Sequence, residues 1–176
     1  MKMKKENLPC IRISEEMLQA SQALVELVRV NRTIASPFDT QAGILGEMAF
    51  AQWYYGDWRR HQVGANKGQS DFGELEVKTS AFPFSGRLHL LVREDYARKR
   101  KPRFYVQLIL DLPHRDQKKL IPGLGIYVCG YATAAEVDAA PLKDFGSKHG
   151  GEGGYKCHYL PISKLRPVKE LRGLLV

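Results

Sequence analysis

The order of periodic segments predicts an α+β or mixed α/β domain. Two helical stretches open the chain, a run of short strands follows, and helical patterns return near the end. The length, 176 residues, suits a single domain able to bury a core without crosslinks. With 44% hydrophobic and 26% charged residues, the composition is that of an ordinary globular chain. That excludes wholesale disorder and fibrous architectures.

Residues 1–9 (MKMKKENLP) read as a flexible tail and 10–176 as one domain. The tail is basic but has no apolar run behind it, so it is not read as a signal peptide. Ser14 stands at an N-cap position, with Glu15 and Glu16 where the helix dipole favours acids. Met17, Ala20, Leu24, Leu27 and Val28 recur at helical spacing and predict an amphipathic helix over 15–30. Asp39 or Thr40 can cap a second helix, 41–54, which Gly56 ends. That helix is apolar nearly all round (Ile44, Leu45, Met48, Phe50, Trp53) and should lie deep.

A short strand is expected over 58–63, then a loop, GANKGQS. From Asp71 the period becomes two: Leu75 and Val77 alternate with Glu74, Glu76 and Lys78, the mark of a half-buried strand. Further strands are expected at 87–92, 103–111, 124–131 and 155–160, with a short helix over 133–140 and a last one after Pro167. KDFGSKHGGEGGY is a Gly-rich loop without the residue order of a phosphate-binding P-loop. The longest charge-free stretch, 120–135, is too short to span a bilayer and is broken by Pro122, Gly123, Gly125 and Gly130. Cys10, Cys129 and Cys157 form no CxxC pair, which favours reduced thiols over a disulfide frame or a zinc site. The expectation is a soluble cytoplasmic protein with no membrane partner.

The chain carries 27 basic and 19 acidic residues, a formal net charge of +8. A surplus of that size favours an anionic partner, most commonly nucleic acid. The chemistry concentrates in SDFGELEVKTS, residues 70–80. On an extended strand Glu76 and Lys78 share one face, while Leu75 and Val77 face the core. Gly73 permits a tight turn that would return Asp71 to Glu76. Two carboxylates and an ammonium then converge. Mg²⁺, or Mn²⁺ in its place, prefers such oxygen ligands, polarises a phosphoryl oxygen and acidifies water. A nearby lysine stabilises developing charge. The competing reading is a solvated strand with a weak Glu–Lys ion pair and Asp71 as a routine turn residue ahead of Gly73.

Glu47 shifts the balance, because it sits in a helix with almost no other charge, and a buried carboxylate needs compensation. Gly43 and Gly46 beside it each cost a helix roughly 1 kcal/mol against alanine, so they imply close approach of a neighbour, the strand of Glu76 being the candidate. The alternative is a structural ion pair between Glu47 and Arg59 or Arg60.

GILGE on a helix, then SDFG, then LEVKTS, resembles the PD-(D/E)XK nuclease superfamily over about residues 40–80. The resemblance implies a restriction-endonuclease-like core, a central mixed sheet flanked by helices with the N-terminal helices first. It implies Asp71, Glu76 and Lys78 as the motif residues and Glu47 as the helix acid that assists metal binding. Ser70 stands where the motif has proline. The resemblance further implies a Mg²⁺-dependent nuclease, an endonuclease acting on DNA or, less directly, RNA, with a homodimer as an expectation. A polar residue on the following strand, Gln107, would touch the site, although a hydrogen-bonded core glutamine accounts for it equally.

Arg98, Lys99, Arg100, Lys101 and Arg103, with Lys148 in the Gly-rich loop, are candidates for phosphate contact. Solvated surface charge is the alternative. His61, His89, His114, His149 and His158 show no metal-binding spacing and receive no role. Two other functions stay open: a catalytically inactive nucleic-acid-binding module of the same fold, and a subunit whose basic surface meets an acidic protein.

Overall fold

A computed structural model describes residues 3–29, 36–65, 70–95, 102–145 and 156–175. After β1 (Cys10–Arg12), Ser14 Oγ accepts a hydrogen bond from the Met17 N–H at 3.1 Å and starts α1 (Glu15–Arg29). Met17 and Val25 are buried, but Leu27, expected on the apolar stripe, is 71% exposed. The second helix, α2 (Pro37–Tyr55), begins earlier than expected. Its cap is Ser36, whose side chain accepts from the Asp39 N–H, and Pro37 fills the first turn, where its missing N–H costs nothing. Gly56 closes it in the left-handed conformation, φ 77°. As expected, α2 lies deep, burying Ile44, Leu45, Met48, Ala49, Phe50 and Ala51.

The expected strand over 58–63 is absent. Asp57 caps a short 3₁₀ turn at Trp58–Arg60 instead, and among the described residues no strand pairs with it. The strands that follow are β2 (Leu75–Phe82), β3 (His89–Arg93), β4 (Phe104–Asp111), β5 (Gly125–Thr133), β6 (Leu142–Asp144) and β7 (Lys156–Pro161). A capping box between Thr133 and Glu136 opens the short helix α3 (Ala134–Ala139). The expected last helix is a single turn, α4 (Leu171–Leu174), after a 3₁₀ turn.

The strands form two sheets. The larger is mixed, with order β1-β5-β4-β2. Here β2 runs parallel to β4, while β4 pairs with β5 and β5 with β1 antiparallel. The smaller, β3-β7-β6, is antiparallel throughout. Helices α1 and α2 cover one face of the mixed sheet, where Leu75, Val77, Val106, Leu108 and Val128 join Leu45, Met48 and Phe50 in the main core. On the other face Tyr105 packs with Leu90, Val92 and Val137, and Ile109 with Ile162. Residues 3–9, read from the sequence as a loose tail, are tied down. Lys5 Nζ lies 2.9 Å from Asp111 Oδ2, and Met3 and Leu8 pack against buried apolar side chains. Among the described residues no helix is long and apolar enough to cross a membrane.

Candidate active site

The site is built at β2, the outer strand of the mixed sheet. Just before it, Phe72 and Leu75 exchange both backbone hydrogen bonds at 2.9 Å across a turn whose first residue, Gly73, has φ 57°. That left-handed value is the reason glycine stands there. The reversal carries the Asp71 side chain back along the strand, and its Oδ2 accepts the Val77 N–H at 2.9 Å. Asp71 and Glu76 are both buried, 7% and 8% exposed. Lys78, two residues beyond Glu76 and therefore on its face, places Nζ 3.7 Å from Glu76 Oε1.

Helix α2 supplies the third carboxyl. Its approach depends on Gly46: a Cβ there would lie 2.7 Å from the Thr79 Cβ and 2.8 Å from its Cγ2. The close approach expected from the glycines is therefore real for Gly46. Gly43 has open space, with no neighbouring atom within 4 Å of where a Cβ would stand, so that expectation is corrected.

One turn of helix from Gly43, Glu47 reaches the acids of β2. Burial, the charge of Asp71, a hydrogen bond shared with Asp71 and the charge of Glu76 together push the Glu47 carboxyl well above its ordinary range. Its Oε2 is enclosed, and among the described residues no donor reaches it. The ion-pair alternative for Glu47 finds no support. Arg59 meets Glu16 at 3.1 Å and Asp57 at 3.8 Å, and the Arg60 guanidinium lies 3.9 Å from the Tyr55 ring centroid.

Around these four side chains the parallel register sets Tyr105 beside Glu76 and Gln107 beside Lys78. Burial, then the charges of Glu76 and Asp138, raise the Tyr105 hydroxyl to about 12, so it stays a neutral donor. Gln107 is 1% exposed, and its Nε2 donates to Ser80 Oγ at 3.2 Å and to the Leu108 carbonyl at 2.8 Å. Its amide is thus committed to the sheet, next to Lys78. The smaller sheet brings Cys157 within the field of Arg93 and Lys78. Burial raises its thiol above the ordinary value, and the two cations only partly offset that rise. Neither Cys157 nor Arg93 carries a local sequence signal for this placement, because β3 and β7 reach the site only through tertiary packing. Tyr105 had one, since it shares a face with Gln107.

Three oxygen-bearing acids crowded together form a donor set of the chemistry a hard cation takes. Among the described residues, however, no group of three or more His, Cys, Asp and Glu side chains is arranged to hold a metal ion as it stands. Of the basic candidates, Arg103 is exposed and lies 3.6 Å from Glu74 Oε2. Arg98, Lys99, Arg100, Lys101 and Lys148 fall outside the described residues. In comparisons with known proteins, no family model, curated protein or solved structure matches the chain.

Proposed function

We propose that the chain is a Mg²⁺-dependent nuclease, an endonuclease acting on DNA, with the restriction-endonuclease-like core that its motif resembles. One observation carries the reading: Glu47 from α2 meets Asp71 and Glu76 of the β2 segment, with Lys78 3.7 Å from Glu76. Four residues separated in sequence are thus gathered at one strand. The architecture supports the fold part of the proposal, since helix α2 precedes the acid-bearing strand, packs on it, and β2 runs parallel to β4 inside a mixed sheet.

Asp71 and Glu76 would hold the ion directly, and Glu47 would join through water. Burial first, then the charges of Asp71 and Glu76, raise the Glu47 carboxyl, and a cation bound there would offset that crowding of negative charge. Once bound, Mg²⁺ would polarise a phosphoryl oxygen and offset the charge of the phosphodiester. The chain's own residues do the rest. The Val77 N–H fixes Asp71, Gly73 sets the turn that aims it, and the Lys78 ammonium faces the charge that develops during hydrolysis. The net charge of +8 suits a polyanionic substrate.

The test is cleavage of linear, branched and single-stranded DNA with Mg²⁺ or Mn²⁺. Wild type should cut at least one substrate, and Lys78→Ala should not. Equal inertness of both on every substrate would remove the enzyme reading. The second reading is a binding module of the same fold that does not cut, to which the net charge of +8 is equally suited. Calorimetry separates the two: a Mn²⁺ site abolished by Asp71→Asn belongs to the nuclease, and nucleic-acid binding without any such site belongs to the module.

A further inference from the structure

Beyond Lys78, the face of β2 that carries Glu76 and Lys78 continues to Ser80 and Phe82, because side-chain direction repeats every two residues. Ser80 is linked to the site through its 3.2 Å hydrogen bond from Gln107. Ser80 and Phe82 line a cavity of about 270 Å³ together with His89, Tyr159, Phe145, Arg87 and Lys143. At about 3.3 Å of strand rise per residue, it begins about 7 Å from Lys78 and reaches about 13 Å.

Its lining sets aromatic and cationic side chains beside two leucines, Leu88 and Leu91. The His89 and Tyr159 rings meet edge to face at 5.7 Å between centroids, and Lys143 Nζ lies 5.6 Å from the Phe145 ring centroid. Phe82 and Phe145 are 42% and 38% exposed, a large area of ring left to solvent. Among the described residues no Asp or Glu lines the cavity. Aromatic faces beside cations, in a lining without acids, match one kind of ligand: a flat base attached to a phosphate. The volume admits about one base and no duplex, whose bases are read from the grooves instead.

We infer that this cavity receives an unpaired nucleotide of single-stranded DNA next to the scissile phosphate, with the base against Phe82, Tyr159 and Phe145 and the phosphate near Arg87 and Lys143. The inference rests on the nuclease reading for its substrate and adds a strand preference to it: the enzyme works at flaps, overhangs or unpaired junction arms.

Binding of the full chain to fluorescein-labelled oligothymidylate, measured by anisotropy in chelator, reads the cavity without cleavage. Phe82→Ala, Phe145→Ala and Tyr159→Ala should each weaken binding about 5- to 150-fold, the range of base–aromatic stacking, and leave blunt duplex binding unchanged. Lys143→Ala should lower the salt slope by about one phosphate contact. An oligonucleotide carrying iododeoxyuridine should photo-crosslink to Phe82, Tyr159 or Phe145 in wild type, a readout independent of whether a variant folds. Unchanged affinity with crosslinks elsewhere overturns the inference, as does tighter binding of oligouridylate than of oligothymidylate. If Phe82→Ala dissolves a dimer and DNA binding is untouched, the face is an interface between copies and the inference falls. Cleavage with Mn²⁺ is scored separately. Cutting by wild type with no effect of the cavity variants removes only the cavity. Crosslinking in the cavity with no cutting on any substrate removes only the nuclease.

Discussion

Gly46 of α2 lies directly against Thr79 of β2, so close that a Cβ on the glycine would stand 2.7 Å from the threonine Cβ. This contact sets how near the helix that bears Glu47 comes to the strand that bears Glu76 and Lys78. A side chain at position 46 would push the two elements apart and Glu47 away from the other acids.

Gly46→Ala and Gly43→Ala should therefore have opposite effects, although both replace glycine by the best helix former. Gly43 has open space around it, so alanine there should stabilise by up to about 1 kcal/mol. At Gly46 the overlap with Thr79 should outweigh that gain and cost about 1–3 kcal/mol. Urea unfolding of the two variants checks the sign of each.

The Glu47 carboxyl gives the protein a pH dependence in the absence of divalent cations. Its folded value lies well above the ordinary 4.5 of an unfolded chain. Between those two values the unfolded chain has released a proton that the folded one keeps, so stability falls as pH rises. The contribution is fully present below about 4.5 and lost as pH climbs through the folded value. Glu47→Gln, which cannot ionise, should melt with a flatter pH profile and gain on wild type as pH rises through that window. Parallel melting profiles of the two proteins would count against a protonated Glu47.

Mn²⁺ should raise the melting temperature. At a hundredfold excess over its dissociation constant a ligand adds about 2.7 kcal/mol to stability. Asp71→Asn keeps an amide oxygen able to accept the Val77 N–H, so the turn should survive while the cation-induced shift disappears. A shift as large in the variant as in wild type would place the ion elsewhere.

Lys78→Ala should fold, since Lys78 is only half-buried, and should lose cleavage by about 10²–10³-fold, the effect of removing one preorganised charge-stabilising group. Steady-state cleavage of the preferred DNA substrate, beside a circular dichroism melt, separates the loss from misfolding.

The three thiols should react in order. Burial raises Cys129 to about 12 and also raises Cys157, while Cys10 is half-buried on the first strand. Under native conditions at mildly alkaline pH, iodoacetamide should label Cys10 first. Cys129 and Cys157 should follow only on unfolding, as peptide mass mapping would show.

Much of the candidate site was readable because its signals are local. Gly73 announced a reversal, and the period-two pattern put Glu76 and Lys78 on one face. Glu47 was conspicuous as a lone charge in an apolar helix. What could not be read depends on partners distant in sequence. Three-residue strands such as Cys10–Arg12 and Leu142–Asp144 exist only because β5 and β7 pair with them. The α2 start was hidden by Pro37, which in a polar stretch reads as a break but at the first helical position is permissive. Residues 58–63 were expected as a strand, but their apolar residues, Trp58 and Val63, lie five apart, and Asp57 turns the segment into a 3₁₀ turn instead. Leu27 fits the apolar spacing of α1 yet remains exposed, because periodicity gives the angle of a side chain and not whether anything covers it. The cavity at Phe82 was invisible for the same reason: Tyr159, Lys143 and Arg87 arrive from separate segments.

The clasp between Asp71 and the Val77 amide also has a protective side. Outermost strands offer rows of hydrogen-bonding groups to any passing chain and seed fibrous growth. Here the amide that would recruit such a guest is already taken, and buried carboxylates stand beside it. An intruding polypeptide would have to displace a charge it cannot replace, so the chemistry placed at this border also shields it from self-association.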